Sequence, residues 1–112
     1  MADDSFFVDN LESLLPPTAP DSIVSRAFHS AAEVRATLFG FAAGQELSEH
    51  TASSPAVIHI LRGEAQLTLG SETCEAREGA WVHMPAQLPH SVQAKTQLVM
   101  LLLLLKSQAG ER

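Results

Sequence analysis

Tyrosine is absent from the 112-residue chain, and cysteine and tryptophan occur once each, as Cys74 and Trp81. Without tyrosine, no phenol group is available as a general acid or base. One cysteine excludes an internal disulfide, and its neighbours Glu72 and Glu75 disfavour the thiolate that a reactive cysteine needs. We therefore interpret Cys74 as a small strand residue and Trp81 as a packing residue.

Positive charge is scarce, with 7 Lys and Arg residues against 13 Asp and Glu residues. A net charge of −6 without a basic cluster excludes a nucleic-acid-binding footprint. No phosphate loop, dinucleotide fingerprint or nucleophile elbow occurs. The chain opens with acidic residues instead of the basic region of a secretory signal, so a cytoplasmic location is expected.

Long apolar runs are also missing. The longest, residues 98–105, has eight members, whereas a helix needs about 20 to cross a bilayer. This run is therefore not a membrane anchor. A strand over these residues is apolar on both of its faces. Its outer face must therefore also be covered, either by the N-terminal segment or by a second subunit. We predict a homodimer.

The pattern of apolar residues predicts one all-β domain. A composition that is 46% apolar is sufficient for a single core at this length. Residues 64–69 alternate strictly between polar and apolar, which is the period of a half-buried strand. Further short segments between turn signals favour a sandwich or barrel. These segments are residues 23–28, 34–42, 73–76, 80–84, 91–94 and 98–105, with a helix over residues 31–38 as an open alternative.

The N-terminal segment has a different pattern. Asp9, followed three residues later by Glu12, predicts a capped short helix that Pro16 and Pro17 end. We therefore divide the chain into residues 1–22, a lid or dimer arm with a short helix, and residues 23–112, the β-barrel domain.

Two glycine-bounded stretches carry the most specific spacing in the chain. The first runs Gly44, five residues, His50, one residue, Ala52, three residues, Ala56, six residues, Gly63. The second runs Gly79, five residues, Pro85, one residue, Gln87, two residues, His90, three residues, Ala94. This spacing resembles the paired motifs of the cupin superfamily, Gly-x5-His-x-His-x3/4-Glu-x6-Gly and Gly-x5-Pro-x-Gly-x2-His-x3-Asn.

The resemblance implies a small single-domain cupin, an all-β jelly-roll barrel known as a double-stranded β-helix. Carried over by position, the metal ligands of the family fall on His50, Ala52, Ala56 and His90, so two of four are retained. The implied site is a reduced, two-histidine one. It either holds one divalent ion weakly, with Fe, Mn, Ni or Zn as candidates, or takes no metal.

A carboxylate ligand would have to come from outside the motif. In a regular strand Glu46 would lie on the same face as His50. However, four strand residues span about 13 Å, which is too far for both side chains to bind one ion. Glu49 is adjacent and points to the opposite face of a regular strand. Only a bulge before His50 would bring either glutamate to the site.

The two alanines enlarge the space beside His50, where an apolar cavity with few polar anchors is typical of small-molecule sites. The predicted ligand pocket comprises His50, Ala52, Ala56, Ile58, Ile60, Met84 and His90. His59 and His83 are expected on the outer face of neighbouring strands, either as ordinary half-buried side chains or as a pair at a subunit contact. His29 lies in a turn-like stretch and receives no role.

Three hypotheses on function follow. The leading one is a cupin that binds a small organic ligand through His50 and His90, with no reaction and no catalytic residue assigned. The first alternative is a metal-dependent oxygenase or isomerase acting on a small organic acid or diketone, in which the two histidines hold the ion. The second is a non-catalytic structural or interaction partner. Whether the protein is an enzyme stays open.

Overall fold

Nine strands in two antiparallel sheets form the fold. The computed structural model describes residues 4–106. The strands are β1 (Ile23–Ser30), β2 (Val34–Phe41), β3 (Glu46–His50), β4 (Ala56–Arg62), β5 (Glu64–Leu69), β6 (Glu72–Arg77), β7 (Trp81–Met84), β8 (His90–Ala94) and β9 (Leu98–Leu105). Within residues 4–106, no helix is long and apolar enough to cross a membrane.

The two sheets have the strand orders β1-β2-β9-β4-β7 and β3-β8-β5-β6. Strands distant in sequence are neighbours in both sheets, as in a jelly roll, so the predicted all-β fold is confirmed. The core lies between the inner faces of the sheets. It contains Phe41, Ala56, Ile58, Ile60, Ala65, Leu67, Ala76, Met84, Val92, Ala94, Leu98 and Met100.

The segment from Val34 to Phe41 is a strand, so the helical alternative is wrong. β2 pairs along its length with β9, and residues of alternate parity face opposite sides of the sheet. Phe41 lies in the core opposite Leu98, whereas Leu38 faces the outer side opposite Leu101. A helix would not bury both sets against neighbouring strands.

The N-terminal segment contains one 3-10 turn, Leu11–Leu14. Its cap is Asn10, not Asp9 as expected: the Asn10 side-chain oxygen accepts a hydrogen bond from the Glu12 amide at 3.2 Å. The segment then crosses the outer face of β2, where a Cβ added to Gly40 would lie 2.7 Å from the Thr18 hydroxyl oxygen. Part of the outer face is therefore covered from within the chain.

Candidate functional site

His50 and His90 meet across the pairing of β3 with β8. They are Cα partners, their ring centroids lie 4.3 Å apart, and their ring planes are inclined by 58°. His90 is buried at 6% exposure, whereas His50 is exposed. Two imidazoles that are 40 residues apart in sequence therefore share one place at the end of a strand pair, as the motif spacing predicts.

A bulge in β3 sets which side chains accompany this pair. Leu47 pairs with Val92, yet His50 pairs with His90, so β3 has one extra residue in this interval. The extra residue brings both Leu47 and His50 to the inner face. The expectation that Glu46 shares the face of His50 is therefore wrong, because it assumed a regular strand.

The ring orientation of each histidine is fixed by a backbone carbonyl. His50 Nδ1 lies 2.8 Å from the Ser48 carbonyl oxygen, and His90 Nδ1 lies 2.9 Å from the Leu88 carbonyl oxygen. A carbonyl only accepts, so each Nδ1 carries the hydrogen and donates it. In the neutral form of each ring, Nε2 therefore retains its lone pair for a metal ion or a hydrogen-bond donor. Carbonyl bonding of the second nitrogen is also how proteins orient histidines that bind metals.

The metal ligands are incomplete. Within residues 4–106, no group of three or more His, Cys, Asp or Glu side chains is placed to hold an ion, so neither Glu46 nor Glu49 joins the pair. Ala56 is buried at 2% exposure opposite Met84, and it offers only a methyl group. Two imidazoles fit a divalent ion in type but supply only half of a tetrahedral set, which implies weak binding.

Ala52 lies in the loop after β3 and is half-buried. Its carbonyl oxygen accepts a hydrogen bond from the Gln87 amide at 2.8 Å, which ties together the two loops beside the histidines. Gln87 adopts a φ of 70°, a conformation that glycine adopts without strain. The family motif has glycine at this position.

The other predicted pocket residues, Ile58, Ile60 and Met84, are buried in the core. Ile58 and Ile60 line a cavity of about 210 Å³ between the two sheets. We call it the seam cavity; its aliphatic lining is Ile58, Ile60, Leu67, Leu69, Ala76, Ala80 and Val82. The prediction did not include Leu67 and Leu69, although their alternation in residues 64–69 indicates this face.

The remaining histidines lie on the outer surface of the five-stranded sheet. β4 and β7 are neighbours, with Val57 opposite His83 and His59 opposite Trp81, so the predicted outer-face placement is confirmed. Trp81 is 63% exposed, so its interpretation as a packing residue is wrong. His29 lies in β1 and not in a turn, with its ring stacked on Phe6 at a centroid distance of 4.2 Å.

Comparison with known families agrees with this geometry. Residues 37–105 match the family model described as "Cupin domain", which covers more than half of the chain. The chain therefore belongs to the cupin family. No curated protein matches the chain.

Solved structures give the same fold. A cupin superfamily protein from Desulfitobacterium hafniense is 27% identical, with a TM-score of 0.80 and coverage of 87% of this chain and 88% of that one. A conserved protein of unknown function from Streptococcus pyogenes is 29% identical, with a TM-score of 0.79 and coverage of 96% and 93%.

A salicylate 1,2-dioxygenase variant from Pseudoaminobacter salicylatoxidans, in complex with gentisate, shares the fold at 18% identity. Its TM-score is 0.71, and the match covers 84% of this chain and 28% of that one.

Proposed function

We propose that this cupin binds one small organic molecule carrying hydroxyl or enol groups, with His50 and His90 as its polar anchors. The observation that carries the proposal is the commitment of both Nδ1 atoms to backbone carbonyls. It leaves two Nε2 acceptors at one place, and an acceptor selects a ligand that donates hydrogen bonds. Ala52 and Ala56 support the proposal because they place methyl groups where the family places metal-binding side chains.

The same two nitrogens form a reduced metal site. One Fe, Mn, Ni or Zn ion bound there would act as a Lewis acid, with water or ligand oxygens in its other positions. This arrangement supports the second candidate function, a metal-dependent oxygenase or isomerase acting on a small organic acid or diketone. The carbonyl-oriented imidazoles favour it, and the missing carboxylate and third histidine disfavour it.

Binding of catechol and of acetylacetone in its enol form tests the leading proposal. A ligand at 100 times its Kd raises the free energy of unfolding by about 2.7 kcal/mol, because only the folded protein binds it. We expect this stabilisation in the wild type and its loss in His50→Ala and in His90→Ala, measured by denaturation with and without the probe. His59→Ala is the matched control and should respond as the wild type does.

The outcome that would contradict the leading proposal is a bound metal. Stoichiometric Fe, Mn, Ni or Zn after purification without chelator, lost in both His50→Ala and His90→Ala but kept in His59→Ala, would establish the metal-dependent alternative. An equal response of all three variants to the probes would place the ligand elsewhere.

The proposed partner of the outer face is a second copy of the chain. Apolar side chains border this face at separate points, with Phe7 at 68% and Trp81 at 63% exposure. Between the N-terminal segment and the sheet lies a cavity of about 470 Å³, here the outer-face cavity. It is lined by Phe6, Phe7, Phe28, Val34, Leu101 and Leu103, among others. An exposed apolar surface of this kind is typical of an interface.

Phe7→Asp is expected to weaken this dimer at least about fivefold, because truncation of an aromatic anchor at an interface costs about 1 kcal/mol or more. Sedimentation velocity over a range of protein concentrations measures the change. The neighbouring substitution Ser5→Asp adds the same charge without removing an aromatic ring, so it should leave the dimer intact. A monomeric wild type, or equal weakening by both substitutions, would contradict the proposal.

A further inference from the structure

The two sheets separate at one side of the barrel, between β6 and β7. Each of these strands is the last of its sheet, and the two are joined by the turn at residues 78–80 without being hydrogen-bonded neighbours. The seam cavity lies along this separation and has a volume of about 210 Å³. Its location follows from the topology, since here the two sheets are connected only by the short turn between β6 and β7.

Cys74 shows that the inner face of β6 is open to solvent at this position. It is the Cα partner of Leu67, and cross-strand partners point to the same face of a sheet. Leu67 is a core residue at 3% exposure, yet Cys74 is exposed. Since no strand within residues 4–106 pairs with the outer edge of β6, a molecule can enter the seam cavity from this side.

The chemistry of the lining selects an apolar guest. Seven aliphatic side chains from β4, β5, β6, β7 and the turn before β7 line the seam cavity. An apolar cavity of about 150 Å³ accommodates benzene, so about 210 Å³ suits one six-membered ring with a small substituent. Trp81 on β7 also borders this cavity.

The charge near the mouth of the seam cavity excludes anions. Glu72 and Glu75 flank Cys74 on β6, and the overall charge of the chain is −6. Lys95 donates a hydrogen bond of 2.7 Å to the Glu75 carboxylate and holds the pKa of Glu75 below its ordinary value. Glu75 is therefore ionised at neutral pH, but its charge is paired with the Lys95 ammonium. Glu72 shares the inner face of β6 with Cys74, so its carboxylate would repel a ligand carboxylate at this mouth but not a neutral hydrocarbon.

We propose that the seam cavity is a second binding site, separate from the histidine pair, for a neutral and mainly hydrocarbon molecule about the size of one six-membered ring. The two sites are adjacent without being the same. Leu69 lines the seam cavity and is the Cα partner of His90, so its side chain lies beside the pair. The hydrocarbon site uses neither Nε2 atom and does not depend on the function proposed for the histidines.

Two reporters that occur once in the sequence line this cavity, which makes the test specific. Cyclohexanol and cyclohexanecarboxylate are the probes, because they share a ring and differ in charge. At ten times its Kd, cyclohexanol should slow alkylation of Cys74 about tenfold and should change Trp81 fluorescence with the same saturation curve. Cyclohexanecarboxylate should do neither at equal concentration.

Ala76→Leu extends a side chain from the inner face of β6 into the seam cavity and should abolish both signals. Phe7→Ser opens the outer-face cavity and leaves the seam intact, so it should keep both, and so should His50→Ala. Retained binding in Ala76→Leu with loss in Phe7→Ser would overturn the proposal by placing the probe on the outer face.

If Ala76→Leu does not fold, the wild-type probe comparison still decides the question. Equal protection of Cys74 by the two probes, or protection by neither, would also overturn the proposal. His50→Ala retains the seam cavity, so the two proposals are tested independently. Failure of the seam-cavity proposal does not affect the histidine site, and failure of the histidine-site proposal does not affect the seam cavity.

Discussion

Gly63→Ala is expected to lower the free energy of unfolding by about 3 kcal/mol or more. Gly63 has a φ of 92°, and a Cβ added there would lie 2.0 Å from the Gln97 carbonyl oxygen. Positive φ costs an L-residue about 1 to 2 kcal/mol, and overpacking adds about 1 to 3 kcal/mol. The obstructing atom belongs to the backbone. It is held in place because the Lys95 and Thr96 amides both donate to the Glu64 carbonyl oxygen.

Gly79→Ala is the matched control for this substitution. Gly79 has nearly the same φ, 93°, but nothing lies within 4 Å of an added Cβ, so only the conformational cost of about 1 to 2 kcal/mol applies. Gln87→Gly should act in the opposite direction and stabilise by about 0.5 to 1 kcal/mol, since it relieves a positive φ. Urea denaturation measures all three. Equal losses in the two glycine variants would refute the close approach at Gly63.

Restoring the two missing ligands is expected to make folding depend on metal. Ala56 is 2% exposed, so Ala56→Glu buries a carboxylate and, with Ala52→His and without an ion, should cost about 3 to 5 kcal/mol. Zn²⁺ at 100 times its Kd should return about 2.7 kcal/mol, because the ion binds only the folded protein. The wild type, with two imidazoles, should gain much less at the same Zn²⁺ concentration.

Thermal or chemical denaturation with and without Zn²⁺ measures this coupling. The matched control places the same two substitutions in a His90→Ala background, where the restored set again lacks a ligand and the gain from Zn²⁺ should fall. If the gain is unchanged without His90, the ion does not bind at the motif positions. If the restored variant shows no gain at all, Ala52 and Ala56 do not face the histidine pair.

The sequence predicts the strands well wherever the hydrophobic period is undisturbed. Strict alternation specifies Glu64–Leu69, and an uninterrupted apolar run specifies Leu98–Leu105; both strands have these bounds in the structure. The bulge in β3 is different. It falls in the polar stretch Ser48-Glu49-His50. Because this stretch has no alternation of apolar and polar residues, the sequence does not indicate which face of the strand each residue occupies. The expected parity of Glu46 failed for that reason.

The histidine pair is predictable only from the spacing of the two motifs, since no local pattern links residues 40 positions apart. Its ring orientation is not predictable at all, because it depends on the carbonyls of Ser48 and Leu88. Trp81 illustrates the reverse error. Its type suggests burial, but β7 ends the sheet, and the outer side chain of an edge strand has fewer neighbours.

Nitrogen NMR of the five histidines, with Zn²⁺ added stepwise, tests the central claim most directly. The account predicts that His50 and His90 are protonated at Nδ1 and bare at Nε2. It also predicts that both Nε2 resonances shift together with a single midpoint as Zn²⁺ is added, while His29, His59 and His83 stay unchanged. Protonation at Nε2 in either ring, or separate midpoints for the two rings, would contradict a shared site.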